Sequence, residues 1–98
     1  MDFKLLVLPS AAKDIQDNID YYASLQPELD NKFDEEINSF LLSIQKNPFF
    51  QIRYANVRCL PLKIFPVMIH FIVDENHKTV YIRAVINTSK NSDTNWIK

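Results

Sequence analysis

The sequence predicts an α+β fold of order β-α-α-β-β-β, in which a two-helix hairpin is packed on one face of a mostly antiparallel sheet. Three features point to it. Two segments in the first half place apolar residues at helical intervals, and Pro27 separates them. Three later segments are apolar or alternating and of strand length. Between the last two lies Asp74-Glu75-Asn76-His77, a polar stretch suited to a hairpin turn.

Taken in order, Phe3 to Leu8 is a short apolar run closed by Pro9 and reads as the first strand. Ser10 offers a hydroxyl to cap the first helix. Ala12, Ile15, Ile19, Tyr22 and Ala23 form its stripe, and Asp14, Asp17 and Asp20 lie off it, mostly in water. The helix is expected to stop near Leu25, because Pro27 disfavours helical geometry at the residue before it. Pro27 can open the second helix, with Glu28 and Asp30 near the positive end of its dipole. Leu29, Phe33, Ile37, Phe40, Leu41 and Ile44 are its apolar stripe, and Asn47-Pro48 stops it. So short a link predicts an antiparallel helical hairpin.

Val57 to Ile64, Val67 to Val73 and Lys78 to Ile86 read as the other strands, with Pro61 marking an edge or a bulge. In the middle one Val67, Ile69, Phe71 and Val73 share a face. In the last one strict alternation puts Val80, Ile82, Ala84 and Ile86 on one face and Tyr81, Arg83, Val85 and Asn87 on the other. The helices are expected on the apolar side, leaving His70, Tyr81 and Arg83 on the opposite one. The chain has no glycine, so Asn56 and Asn76 are the residues expected to take positive φ. Trp96, in the polar tail, is expected to fold back on the domain.

The 98 residues suffice for one domain, 1–98, and not for two. No apolar run approaches the roughly 20 residues that span a bilayer, so no membrane is expected as a partner. Met1-Asp2-Phe3-Lys4 lacks the basic start of a signal peptide. Cys59 is the one cysteine, which excludes an internal disulfide and fits a reducing, cytoplasmic location with a buried, inert thiol. The net charge of −1 hides an asymmetry: residues 1–49 carry −5 and residues 50–98 carry +4. Such a division suits an acidic shell on one side and a surface facing a polyanion on the other, or solvated helix faces alone.

Chemistry is then narrowed by elimination. Without glycine no phosphate-cradling loop forms. His70 and His77 have no metal-ligand spacing with Cys59 or an acid, so no metal and no cofactor is expected. No motif marks a nucleophile with its base. The basic residues of the second half remain: Arg53, Arg58, Lys63, Arg83 and Lys90. Arginines on a sheet can hold phosphates and stabilise an anionic transition state, and Tyr54 and Tyr81 could stack bases beside them. Arg53, Lys63 and Tyr81 are accordingly candidates for binding nucleic acid, and Arg83, expected on the helix-free face, for catalysis.

Several segments, in order, resemble the RelE/ParE toxin superfamily. Ile15 to Tyr22, ending in Tyr21-Tyr22, is similar to its first-helix pattern. Phe40-Leu41-Leu42 followed by Asn47-Pro48 resembles its second-helix ending. Val57-Arg58-Cys59-Leu60 and Ile64-Phe65-Pro66-Val67-Met68-Ile69-His70-Phe71 resemble its "Arg … Phe-Pro-Tyr … Tyr" strand pair. Val80 to Ile86 resembles the last strand, and Asn87-Thr88-Ser89-Lys90-Asn91 with Trp96 its closing "His-x-x-Arg … Trp". The likeness covers about residues 3–96.

This resemblance implies a RelE-like fold and a toxin of a type II toxin–antitoxin system, of the plasmid-stabilisation type. Arg58 falls on the family's arginine and Lys90 on the closing one, which makes them catalytic candidates. The implied activity is ribosome-dependent cleavage of messenger RNA, an endoribonuclease or mRNA interferase. The alternatives are a non-catalytic, ParE-like inhibitor of DNA gyrase, and a degenerate member that only binds its antitoxin. The implied partners are a small cognate antitoxin and either the ribosome with its message or gyrase, with a homodimer left open. Asn87 replaces the closing histidine and cannot exchange protons near neutral pH as histidine does. Lys90 keeps the charge of the arginine it replaces but not its two-pronged grip.

Overall fold

A computed structural model describes residues 2–88. Lys90 and Trp96 lie outside them. The elements are β1 (Lys4–Val7), α1 (Pro9–Leu25), α2 (Leu29–Lys46), β2 (Ile52–Tyr54), β3 (Val57–Pro61), β4 (Val67–Asp74) and β5 (Thr79–Asn87). They form one five-stranded sheet of order β1-β5-β4-β3-β2. β1 runs parallel to β5, and every other neighbour is antiparallel. The helical hairpin lies on one face. Ala11, Tyr22, Phe33, Ile37, Leu41 and Ile44 from the helices meet Val67, Ile69, Phe71, Val80, Ile82 and Val85 from the sheet in a single core.

The architecture is the expected one with an added edge strand. β2 has three residues, too few for alternation to register. β3 ends at Pro61 rather than Ile64. β2 pairs with Ile52–Arg58 and Tyr54–Val57 only, so no β2 neighbour sits beside Pro61, whose missing N–H costs no ladder bond.

Local signals shift at the helix ends. Leu8, in extended geometry, takes the N-cap position of α1, and Pro9 opens the helix. Ser10 is therefore inside the helix and does not cap it. α2 starts at Leu29, two residues later than Pro27, because Glu28 takes the left-handed conformation (φ 71) to turn the chain. Positive φ falls on Glu28, Ala55 and Lys78, not on Asn56 or Asn76. Each of these costs about 1–2 kcal/mol that glycine would not.

The inner stripe of α1 is also more polar than expected. Ala11, Asn18 and Tyr22 are buried, whereas Ala12 and Ala23 are exposed. The cause is the unequal length of the strands. β1 stops at Val7, and Leu8 N–H donates the last bond, to Ile82 C=O (3.0 Å). Beyond it the outer edge of β5 has no strand beside it among the described residues, and α1 side chains supply its hydrogen bonds. Ser10 Oγ donates to Arg83 C=O (2.9 Å), Val85 N–H donates to Asp14 Oδ2 (3.0 Å), and Asn18 Nδ2 donates to Val85 C=O (3.4 Å). Ser10, Asp14 and Asn18 are four residues apart, one per helical turn, and so follow the strand. Asp14 is thus not a water-facing acid.

Glu36 is a second exception among the helix acids. It is buried, and its carboxylate accepts from Lys63 N–H (3.2 Å) and Ile64 N–H (3.0 Å), fixing the loop between β3 and β4 on α2. We expect Glu36→Ala to lower stability by about 1–3 kcal/mol, since charge-assisted bonds to two amides are lost. Chemical denaturation measures this, and an unchanged midpoint would remove Glu36 from the loop's support.

Candidate nucleic-acid interface

Residues paired across antiparallel strands point to the same side. Val67, Ile69, Phe71 and Val73 of β4 oppose Asn87, Val85, Ile82 and Val80 of β5, and all face the helices. The pairing slips by one between His70–Ala84 and Phe71–Ile82, so Arg83 is an extra residue in β5, a β-bulge. Past it the alternation inverts. Val85 and Asn87 turn toward α1, while Ala84 and Ile86 join Met68 and His70 on the other side. The expected faces of the last strand are therefore correct up to Ile82 and reversed from Ala84 onward.

A second slip occurs in β2. Ile52 opposes Arg58 and Tyr54 opposes Val57, so two steps on β2 match one on β3 and Arg53 is the extra residue. Both exposed arginines of this sheet face, Arg53 and Arg83, thus stand on bulges, where an unpaired residue can aim its side chain independently of the pleat.

Between them lies a neutral polar cluster. Tyr54 Oη is 3.0 Å from His70 Nδ1, and Cys59 Sγ is 3.5 Å from the same nitrogen. The Tyr54 and His70 rings are 5.9 Å apart. His70 is 1% exposed. Burial, with the Arg53 charge adding to it, pushes its imidazole down to about 4. Burial raises the Tyr54 phenol, partly opposed by the Arg83 charge. It raises the Cys59 thiol, partly opposed by Arg53. All three groups are uncharged near neutral pH. Tyr81 opposes Ile72 on this face and is half-buried.

The lowered His70 value makes stability depend on pH. In acid the unfolded chain takes up a proton near 6.5 while the folded protein refuses it until about 4. Stability should be flat above pH 6.5, fall by on the order of 1–3 kcal/mol as pH drops toward 4, and level off below. Comparing denaturation midpoints of the wild type with His70→Gln checks this. An identical slope in the variant would assign the effect elsewhere.

Other candidates stand apart from this face. Arg58 opposes Phe71, so its side chain leaves the sheet on the helix side. There Nη1 donates to Phe50 C=O (2.7 Å), and the guanidinium lies 5.5 Å from the centre of the Phe49 ring. Its Nε is buried and has no hydrogen-bond partner among the described residues. Lys63 is in the loop that Glu36 holds against α2. Lys90 is outside the described residues. Asn87 is buried under the sheet, and its amide donates to Tyr22 Oη (2.7 Å) and Asn18 Oδ1 (3.1 Å). At this position the chain uses the side chain to fasten β5 to α1. His77 serves the hairpin: its backbone N–H and its Nδ1 lie 3.2 and 2.9 Å from Asp74 oxygens, which holds the Asp74 carboxyl below its usual range.

The structure therefore unites Arg53, Arg83 and Tyr81 on the helix-free face and leaves Arg58 and Lys63 elsewhere. The Tyr54–His70–Cys59 contact is an addition, visible in the sequence only as a cysteine and a histidine in neighbouring expected strands and a tyrosine just before them. Among the described residues no group of three or more His, Cys, Asp or Glu is placed to hold a metal ion. Likewise, none of their helices is long and apolar enough to cross a membrane.

A two-helix hairpin on one side of this mixed sheet is the fold of the RelE/ParE toxins. It is similar to a structure of the chromosomal ParDE toxin–antitoxin system from P. aeruginosa, at 23% identity and a TM-score of 0.76, covering 87% of this chain and 95% of that one. The toxin–antitoxin complex RelBE2 from Mycobacterium tuberculosis matches at 13% identity and TM-score 0.63, over 89% and 92% of the two chains. A mutant of the E. coli toxin RelE in the free state matches at 12% and 0.61, over 94% and 90%. No protein-family model matches the chain, and no curated protein does.

Proposed function

We propose that the chain is the toxin of a type II toxin–antitoxin pair, that it acts in the cytoplasm as one domain, and that it cleaves messenger RNA on the ribosome. The observation that carries this reading is the helix-free sheet face, where Arg53 and Arg83 flank Tyr54, His70 and Tyr81. Two arginines held on bulges can clamp successive phosphates, and tyrosines beside them can stack on the bases of a single strand. Cleavage by attack of a 2′-hydroxyl needs the strand aligned and the charge on phosphorus stabilised, and arginines do both. Neutralisation falls to a small antitoxin; this is supported by the likeness in fold to structures of the ParDE toxin–antitoxin system and the RelBE2 toxin–antitoxin complex.

A second reading, binding and poisoning of DNA gyrase without chemistry, is favoured by one observation. The protonatable groups at the centre of the face are neutral and bonded to one another, and Arg58 points to the helix side. One experiment separates the readings: induced expression without antitoxin, followed by growth, message integrity and gyrase–DNA complexes. Arrest with cut messages supports cleavage. Arrest with intact messages and stalled gyrase transfers the assignment to the second reading. Unimpeded growth overturns both.

A further inference from the structure

Two groups able to donate a hydrogen bond converge on one ring nitrogen beneath the helix-free face. Tyr54 Oη and Cys59 Sγ lie 3.0 and 3.5 Å from His70 Nδ1. A phenol and a thiol each carry one proton to donate. Burial favours their protonated forms, and it favours the neutral imidazole. With a phenol and a thiol both facing it, Nδ1 is assigned the lone pair and Nε2 the ring proton, the tautomer in which both groups can donate. Tyr54 commits its only proton inward. What its oxygen offers to a ligand is a lone pair, so any group meeting it from outside must donate. Arginine offers donors only. Arg53, Tyr54 and Arg83 thus present donor, acceptor and donor across the face. Phosphate oxygens suit the two arginines and find nothing to accept from at Tyr54. A ribose 2′-hydroxyl is a donor adjacent to every phosphate of RNA, and DNA lacks it.

The geometry points to Tyr54, held by His70, as the residue that selects RNA over DNA: its phenol oxygen accepts the hydrogen bond of a ribose 2′-hydroxyl while Arg53 and Arg83 hold phosphates on either side. The assignment rests on the message-cleaving reading above and adds to it a residue that discriminates sugars. Tyr54 touches the ligand, and His70 is a positioning residue that acts through the direction of the Tyr54 proton.

The test uses the isolated protein with an eight-nucleotide uridine RNA and its deoxyribose counterpart, titrated by NMR without ribosomes. The wild type should bind the RNA about five- to tenfold more tightly than the DNA, the effect of one hydrogen bond. Tyr54→Phe keeps the ring and should bring that ratio close to one by weakening RNA alone. In the free wild type, nitrogen shifts of His70 should show Nδ1 unprotonated and Nε2 protonated from pH 5 to 8, a signature that a merely structural histidine need not have. A ratio near one in the wild type, a preference that survives Tyr54→Phe, binding to neither oligonucleotide, or a proton on Nδ1 overturns the proposal. The two readings fail separately. Intact messages in cells with the RNA preference retained remove cleavage and leave the role of Tyr54 standing. Cut messages with a ratio near one do the reverse.

Discussion

If the proposed message cleavage is the activity, the double variant Arg53→Ala, Arg83→Ala should fold as the wild type does and lose that cleavage by about 10²–10³-fold or more, the loss typical of removing a preorganised stabiliser of transition-state charge. Both side chains are exposed. No core contact depends on them, so the melting temperature should stay within about 2–4 °C of the wild type. Arg58→Ala is the informative control. Its guanidinium bonds to Phe50 C=O and lies over Phe49 on the helix side. Truncation should lower stability by about 1–2 kcal/mol and leave cleavage per folded molecule nearly unchanged. Circular dichroism melts beside a cleavage assay on programmed ribosomes make the comparison. A folded Arg58→Ala protein that cuts nothing, or a double variant that cuts normally, would move the chemistry off the helix-free face and back to the position the family resemblance indicates.

Phe33→Ala should destabilise the fold by about 3–5 kcal/mol, the usual cost of emptying a buried aromatic site. Phe33 is fully buried, with its ring 5.5 Å from Tyr22 and 5.4 Å from Phe65, while Tyr22 and Phe65 are 4.6 Å apart. The three rings join α2, α1 and the loop before β4. Tyr22 also accepts from Asn87 on β5, so a shift of its ring would loosen the polar anchor of the last strand as well. A protein of 98 residues has a total stability of about 5–15 kcal/mol, and such a loss leaves a large unfolded fraction at 37 °C. Urea denaturation gives the number. A loss under about 1 kcal/mol would mean that the cluster closes around the gap and that the helices are held mainly by other contacts.

Much of the fold was legible because periodicity is a local property. The helical stripe of Phe33, Ile37, Leu41 and Ile44 and the alternation of Val67, Ile69, Phe71 and Val73 each report their burial without knowledge of the partner. What misled was polar residues acting as structure. Ser10 read as a cap and Asp14 as a mostly water-facing acid, yet both, with Asn18, complete the edge of β5. That need arises only because β1 ends at Val7, two helices and three strands before the part of β5 where it is felt.

By itself the sequence determined the order of every element but β2, the hairpin of helices, most of the apolar faces that must meet, and a second half rich in arginine beside tyrosine. Only the tertiary structure decided which arginines share a face. A bulge is one residue more on one strand than on its neighbour, so it exists in the pairing and in neither strand alone. Arg53 and Arg83 each occupy such a position. The same pairing sends Arg58 under the sheet beside Phe50 and turns Asn87 inward to Tyr22, which side-chain spacing along the chain could not reveal.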